Sequence, residues 1–213
     1  MNNALKKLVS IGSEAICPTM PIFPLGYGLE KRHNRYIELD CLLQEKNGFY
    51  AFESALHVIP SQCDDPIMTI EMWNAKGTWK NEFSCDLKEI TFFAEDVFGM
   101  QFGIKENSII KFDPETCEID HFSETLDEWA SKLLAEYDYE TGYQLAHDWQ
   151  KLNGPIPTGK RLLPKIPFVL GGQFKLSNLY LIDAVKGMHS RADLSRQIKD
   201  LPDGTNVEIN IVE

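Results

Sequence analysis

Few residues of this chain have the types and spacing that chemistry needs. Gly154-Pro-Ile-Pro-Thr-Gly159-Lys160 has the spacing of a phosphate loop, in which backbone N–H groups and a lysine cradle a nucleotide. The next residue should be Ser or Thr, to hold magnesium, and it is Arg161. Pro155 and Pro157 remove two N–H donors, and the loop follows a helical pattern where it should follow a strand. These departures argue against nucleotide binding. His33, His57, His121, His147 and His189 stand far apart, with no His-Glu-x-x-His and no Cys/His pairing, so no metal ligands are assigned. His57, between Leu56 and Val58, reads as a buried, hydrogen-bonded histidine. No Gly-x-Ser-x-Gly elbow occurs, and Asp86-Leu-Lys88 is too common a pattern to weigh as half of a nuclease signature. The reading therefore assigns no catalytic residue, no metal and no cofactor.

Other residues suit binding better. Glu95-Asp96 closes an apolar run; adjacent residues of a strand point to opposite faces, so one carboxylate at most is expected in the core direction. Either could accept N–H bonds from the turn at Gly99, or meet a partner. Trp73 and Trp79 lie in an irregular helical region and are candidate docking anchors. The charge is uneven. The chain has 213 residues and a net charge of −11, and the stretch from Asp113 to Glu140 holds ten Asp/Glu and one Lys. Nearly all the imbalance sits there. Such a surface repels nucleic acid and anionic lipid and attracts a basic partner. Glu118, Asp120, Glu124, Asp127 and Glu128 are the expected charged contacts. Five scattered cysteines, an odd number with no Cys-x-x-Cys, point to free thiols in a reducing compartment. With no leader pattern and no membrane-length apolar stretch, a cytoplasmic location is expected.

The elements that must position these residues follow from pattern. Residues 4–16 suit a short amphipathic helix, and Pro18, Pro21, Pro24, Gly26 and Gly28 then make an arm, so residues 1–30 are set apart from one domain over 31–213. Tyr36–Glu45 has helical spacing, and a short strand is expected to end at Pro60. Met68–Trp73 and Trp79–Phe83 read as short helices. Strands are expected at Ile90–Ala94, Met100–Ile104, Ile109–Phe112 and Glu118–Phe122, joined by tight turns. Thr125 and Glu128 form a capping box for a helix with Leu126, Trp129, Leu133, Leu134 and Tyr137 on its apolar face. A helix over Glu140–Leu152 follows, with Leu145, Trp149 and Leu152 inward, and then a Gly/Pro-rich connection over 154–178. Leu179–Asp183 reads as a strand, Ser190–Asp200 as a helix, and Val207–Ile211 as a half-buried strand. Strands gathered in the middle and helices on either side give an α+β fold, a central antiparallel sheet packed with helices.

Three segments carry a resemblance. Asn47-Gly-Phe-Tyr-Ala-Phe-Glu-Ser54, Phe93-Ala-Glu-Asp-Val-Phe-Gly-Met-Gln-Phe102 and Leu201-Pro-Asp-Gly204, with Trp73-Asn74 before the strands and a Trp129 helix after them, resemble the SUKH superfamily over roughly residues 31–213. That superfamily includes fungal cell-wall regulators of the Smi/Knr type and many bacterial proteins. The resemblance implies an α+β fold and, for a bacterial member, an immunity protein that binds and neutralises a protein toxin, often a nuclease. The acidic stretch fits independently, because a nuclease needs a positive surface that an acidic inhibitor can occupy. Direct contact with nucleic acid or membrane is not expected, and the oligomeric state is left open. The alternatives are a regulatory or scaffolding module of the Smi/Knr type and, behind it, a hydrolase whose site gathers scattered residues around a Cys- and His-lined pocket.

Overall fold

The computed structural model describes residues 3–22, 34–64, 66–202 and 205. Six strands form one antiparallel sheet in sequence order: β1 (Phe49–Ala51), β2 (Leu56–Val58), β3 (Ile90–Asp96), β4 (Gln101–Lys105), β5 (Ser108–Phe112) and β6 (Ile119–Ser123). The helices are α1 (Asn3–Ile11), α2 (Asn34–Glu45), α3 (Ile70–Trp73), α4 (Leu126–Ala135), α5 (Tyr137–Thr141), α6 (Tyr143–Asn153) and α7 (Ala184–Ile198). A separate hairpin pairs β7 (Lys160–Pro164) with β8 (Leu179–Asp183). The fold is α+β, as its pattern of elements predicts. The C-terminal strand expected over Val207–Ile211 and the arm residues Pro24, Gly26 and Gly28 lie outside the described residues.

Both faces of the sheet are covered, and this decides what the site is. On one face Phe102 packs against Phe122 and Trp129, and Phe93 meets the same tryptophan edge-on. A bulge between Phe92 and Ala94 lets Phe93 reach that side, while Phe92 joins Trp79, Phe83 and Phe112 on the other. α4 is anchored at its start: Thr125 Oγ1 accepts from Glu128 N, and Glu128 Oε2 accepts from Glu124 N, one residue before the position a standard capping box uses. Glu38 of α2 accepts the N–H of Leu126.

Four expectations need correction. The N-terminal helix is part of the main core, because Leu5, Leu8 and Val9 are buried in it and Asp127 Oδ1 accepts from Ala4 N and Leu5 N at 3.1 Å each. The helix stops at Ile11, short of the expected residue 16, and the segment after it runs along the open edge of β1, with Ser13 N on Tyr50 O at 2.7 Å and Ile16 N on Gly48 O at 2.8 Å, so residues expected in the helix seal the sheet instead. The helix expected over Glu140–Leu152 is two, broken at Gly142 in the left-handed region (φ 71°), and Leu152 is exposed. The expectation of free thiols fails for Cys17 and Cys63, which form a disulfide; Cys41, Cys85 and Cys117 are free. Burial and the neighbouring Cys117 push the Cys85 thiol up to about 12, which suits a small hydrophobe and not a nucleophile.

Candidate functional site

A polar row crosses the sheet. Tyr50, His57, Glu95 and Gln101 are register neighbours on β1 to β4. Glu95 is 2 % exposed. Its Oε1 lies 3.0 Å from His57 Nδ1 and 2.9 Å from Arg161 Nε, and its Oε2 accepts from Gln101 Nε2 at 3.2 Å. Gln101 Oε1 accepts from Trp73 Nε1 at 2.9 Å. The Arg161 guanidinium lies 5.5 Å from the centre of the Tyr50 ring. Burial alone would raise the Glu95 carboxyl; the Arg161 charge, helped by His57 and Gln101, overrides it and holds it at about 2. Burial pushes His57 down, so a neutral imidazole donates its Nδ1–H to Glu95. His57, Glu95, Gln101 and Arg161 are buried, while Tyr50 at the edge of the row is partly exposed. The role of the row is to clamp β7 against the sheet as a buried ion pair: Glu95 is met on both oxygens, while of the Arg161 nitrogens only Nη1 makes a hydrogen bond among the described residues, to Lys160 O at 2.8 Å.

Asp96 faces the other way and meets a cavity. The turns β1–β2, β3–β4 and β5–β6 all gather at one end of the sheet. α5, α6, residues 168–174 and α7 close over that end and leave about 600 Å³. Asp96, Lys111, Asp113, Glu115, Asp138 and Arg191 supply its charged lining, and Phe98, Phe168 and Phe174 form an aromatic wall. Asp96 is 3 % exposed, and its Oδ1 accepts from Phe98 N and Met100 N at 2.9 Å each. Lys111 Nζ is held 2.9 Å from Glu140 Oε2, and Arg191 Nη2 lies 3.6 Å from Glu115 Oε1. Arg191 is buried, and its Nε and Nη1 make no hydrogen bond among the described residues. Gly99 makes room for it: a Cβ there would come within 2.9 Å of Nη1. Burial pushes Asp96 up to about 7 against the pull of Lys111, Arg191 and two backbone N–H groups, and burial raises Glu115 as well. The cavity thus holds a carboxyl that changes charge near neutrality. Neither cysteine nor histidine lines it.

No family model matches this chain, and no curated protein matches it. Its fold is similar to that in the crystal structure of Atu4351 from Agrobacterium tumefaciens, with a TM-score of 0.55 and 16 % identity over 90 % of this chain and 87 % of that one. At that identity the likeness shows the fold alone.

The structure sorts the expected contact residues into three groups. Trp73 and Trp79 are 2 % and 1 % exposed in the aromatic core, so they cannot anchor a partner. Glu95 and Asp96 do point to opposite faces, but both are buried because both faces are covered; Glu95 is out of a partner's reach, and Asp96 is reached only through the cavity. Asp127 and Glu128 are half-buried and engaged, the first capping α1, the second capping α4 and pairing with Lys132 at 3.3 Å. Glu118, Asp120 and Glu124 are exposed. Asp120 pairs across strands with Lys111, and Glu118 O accepts from Asp113 N, so both border the cavity wall; Glu124 lies at the far end of β6 and pairs with His121 at 3.1 Å. Sequence reasoning missed Arg161, Arg191, Glu115 and Lys111. The loop-like motif around Arg161 hid a strand, and nothing local marks a charge that is buried by distant partners.

Proposed function

We propose that this chain works by binding alone: it is an immunity protein that sequesters a basic protein toxin, of which a nuclease domain is the best candidate. One observation carries the reading. Exposed Glu118 and Asp120 stand beside a cavity whose lining already includes Asp96, Asp113, Glu115 and Asp138. Acidic groups gathered around a concavity with an apolar wall suit a positively charged protein, both to steer it and to seat part of it. Docking there would cover the phosphate-binding surface of a nuclease without any reaction by this chain. Among the described residues no helix is long and apolar enough to cross a membrane. A cytoplasmic site of action belongs to the proposal, since a nuclease's substrate lies there. The Cys17–Cys63 bond runs against a reducing compartment.

The test is co-expression with a candidate toxin encoded beside this gene. Survival of the cells is the expected result; cell death with the chain folded and abundant would remove the proposal and leave the Smi/Knr-type regulatory reading. With a toxin in hand, Glu118→Lys and Asp120→Lys together are expected to slow association about tenfold at low salt and to flatten its salt dependence, as stopped-flow would show.

A further inference from the structure

We infer that Cys85 and Cys117 are an oxidisable pair that closes into a second disulfide, fastening the β5–β6 turn to the segment that leads into β3. The fold brings them together from separate elements. Cys85 follows Phe83, Cys117 lies in the turn after Phe112, and those two rings meet edge-on at 5.2 Å. Both cysteines are half-buried against the same core. The Cys85 thiol makes a hydrogen-bond contact with Cys117. Two thiols in contact are the arrangement from which a disulfide closes without moving the backbone far. The backbone of Cys117 agrees with this. Its φ is 64°, in the left-handed region where glycine alone is free of strain. A side chain stands there all the same, and its sulfur is the part that meets Cys85.

The Cys17–Cys63 bond already implies an oxidant in the surroundings of this chain. For the second bond the oxidant is a small disulfide, and Cys85 lines an open cavity of about 480 Å³ through which it can enter and leave. Burial and, behind it, the Cys117 sulfur keep the Cys85 thiol protonated, so Cys117 attacks first. Its thiolate bonds to one sulfur of the oxidant and expels the other, which takes up a proton. The hydrogen bond and charge of Cys117, which help to hold the Cys85 proton, are then gone. Cys85 gives that proton to water, attacks the Cys117 sulfur and expels the second half of the oxidant. One small disulfide is reduced to two thiols, and two protein thiols are oxidised to one disulfide. The turn so fastened carries acids of the docking surface: Asp113 and Glu115 line the large cavity, and Glu118 follows Cys117. Backbone bonds close it, Cys117 N on Asp113 O and Asp113 N on Glu118 O at 2.9 Å each. A covalent tie at Cys117 stiffens that lip, and it forms whatever the chain binds.

The test uses the full chain with Cys41→Ser, which removes the exposed thiol and leaves Cys85 and Cys117 as the free ones. On incubation with glutathione disulfide, thiol titration in denaturant is expected to fall from two per chain to none, with no glutathione mass retained. Non-reducing peptide mapping should find Cys85 joined to Cys117. With Cys85→Ser added, Cys117 is expected to keep one glutathione instead. Amide exchange over residues 113–118 should slow at least about tenfold when both cysteines are present and oxidised, and not in the Cys85→Ser chain. Two persisting thiols, glutathione held on either cysteine when both are present, or a bond from either to another residue would overturn the inference. Bond formation with unchanged exchange would overturn the stiffening of the turn. No toxin enters the experiment, so its failure would leave the immunity reading standing.

Discussion

Glu95 and Asp96 are neighbours in sequence with opposite electrostatics. Arg161 holds Glu95 low, at about 2, while burial without an ion-pair partner lifts Asp96 to about 7. Arg161→Met would leave Glu95 buried and unpaired, and urea denaturation at pH 7 is expected to show a loss of about 3–5 kcal/mol. Adding Glu95→Gln to that variant should recover part of the loss; no recovery would mean that Arg161 matters for packing and not for charge. The pH signs follow from the shifts. Glu95 is lower in the folded chain than its ordinary 4.5, so its contribution is complete above that value and disappears as pH falls toward 2. Asp96 is higher than its ordinary 3.8, so the folded state keeps a proton that the unfolded state has lost, and stability declines from about pH 4 up to about pH 7. Melting curves across that interval should decline less for Asp96→Asn than for the parent chain. The sequence marks this acidic pair and its divergence across the sheet. It cannot mark the partners, since Arg161 and Arg191 come from elements that are remote along the chain.

At the scale of elements, the strands β3 to β6 and the start of α4 are legible because short-range signals decide them: apolar runs cut by turn residues, and a threonine with a glutamate three residues on. β7 is not, since Pro157, Gly159, Lys160 and Pro164 spell a loop, and only pairing with β8 and burial of Arg161 make it a strand. The β1–β2 turn is hidden for a similar reason. Phe52, Glu53 and Ser54 all have positive φ, a conformation their side chains do not announce, and Glu53 is tied to α6 by His147 Nδ1 at 2.7 Å. Asp127 shows how one residue can serve a distant element: it is a helix cap supplied to α1 across more than a hundred residues. Asp127→Ala is expected to cost about 1 kcal/mol in chemical denaturation and to leave the association rate with a basic partner unchanged. A slower association would return Asp127 to the contact surface.

At the scale of the whole molecule, charge is organised differently from its distribution along the chain. The acidic stretch reads as one patch, but folding spends several members on internal work, Glu115 and Glu140 on cations and Asp127 and Glu128 on helix starts. What stays open is smaller and borders a cavity. The disulfide is illegible for a simpler reason: a separation of 46 residues carries no pairing information. The chain-entropy model gives such a closure about 2–4 kcal/mol. Reductant is therefore expected to lower the melting temperature, and Cys17→Ser with Cys63→Ser should melt where the reduced parent does; alkylation of thiols before lysis would show which form cells contain. The sequence-ordered sheet has one more implication. Each strand needs only its predecessor, so the meander can zip up as the nascent polypeptide leaves the ribosome. α1 leaves ahead of the sheet yet must wait for α4, whose Asp127 and core slot it requires. A segment synthesised ahead of the sheet is thus among the late ones to dock, and a ribosome stalled before residue 127 would display Leu5, Leu8 and Val9 without a home.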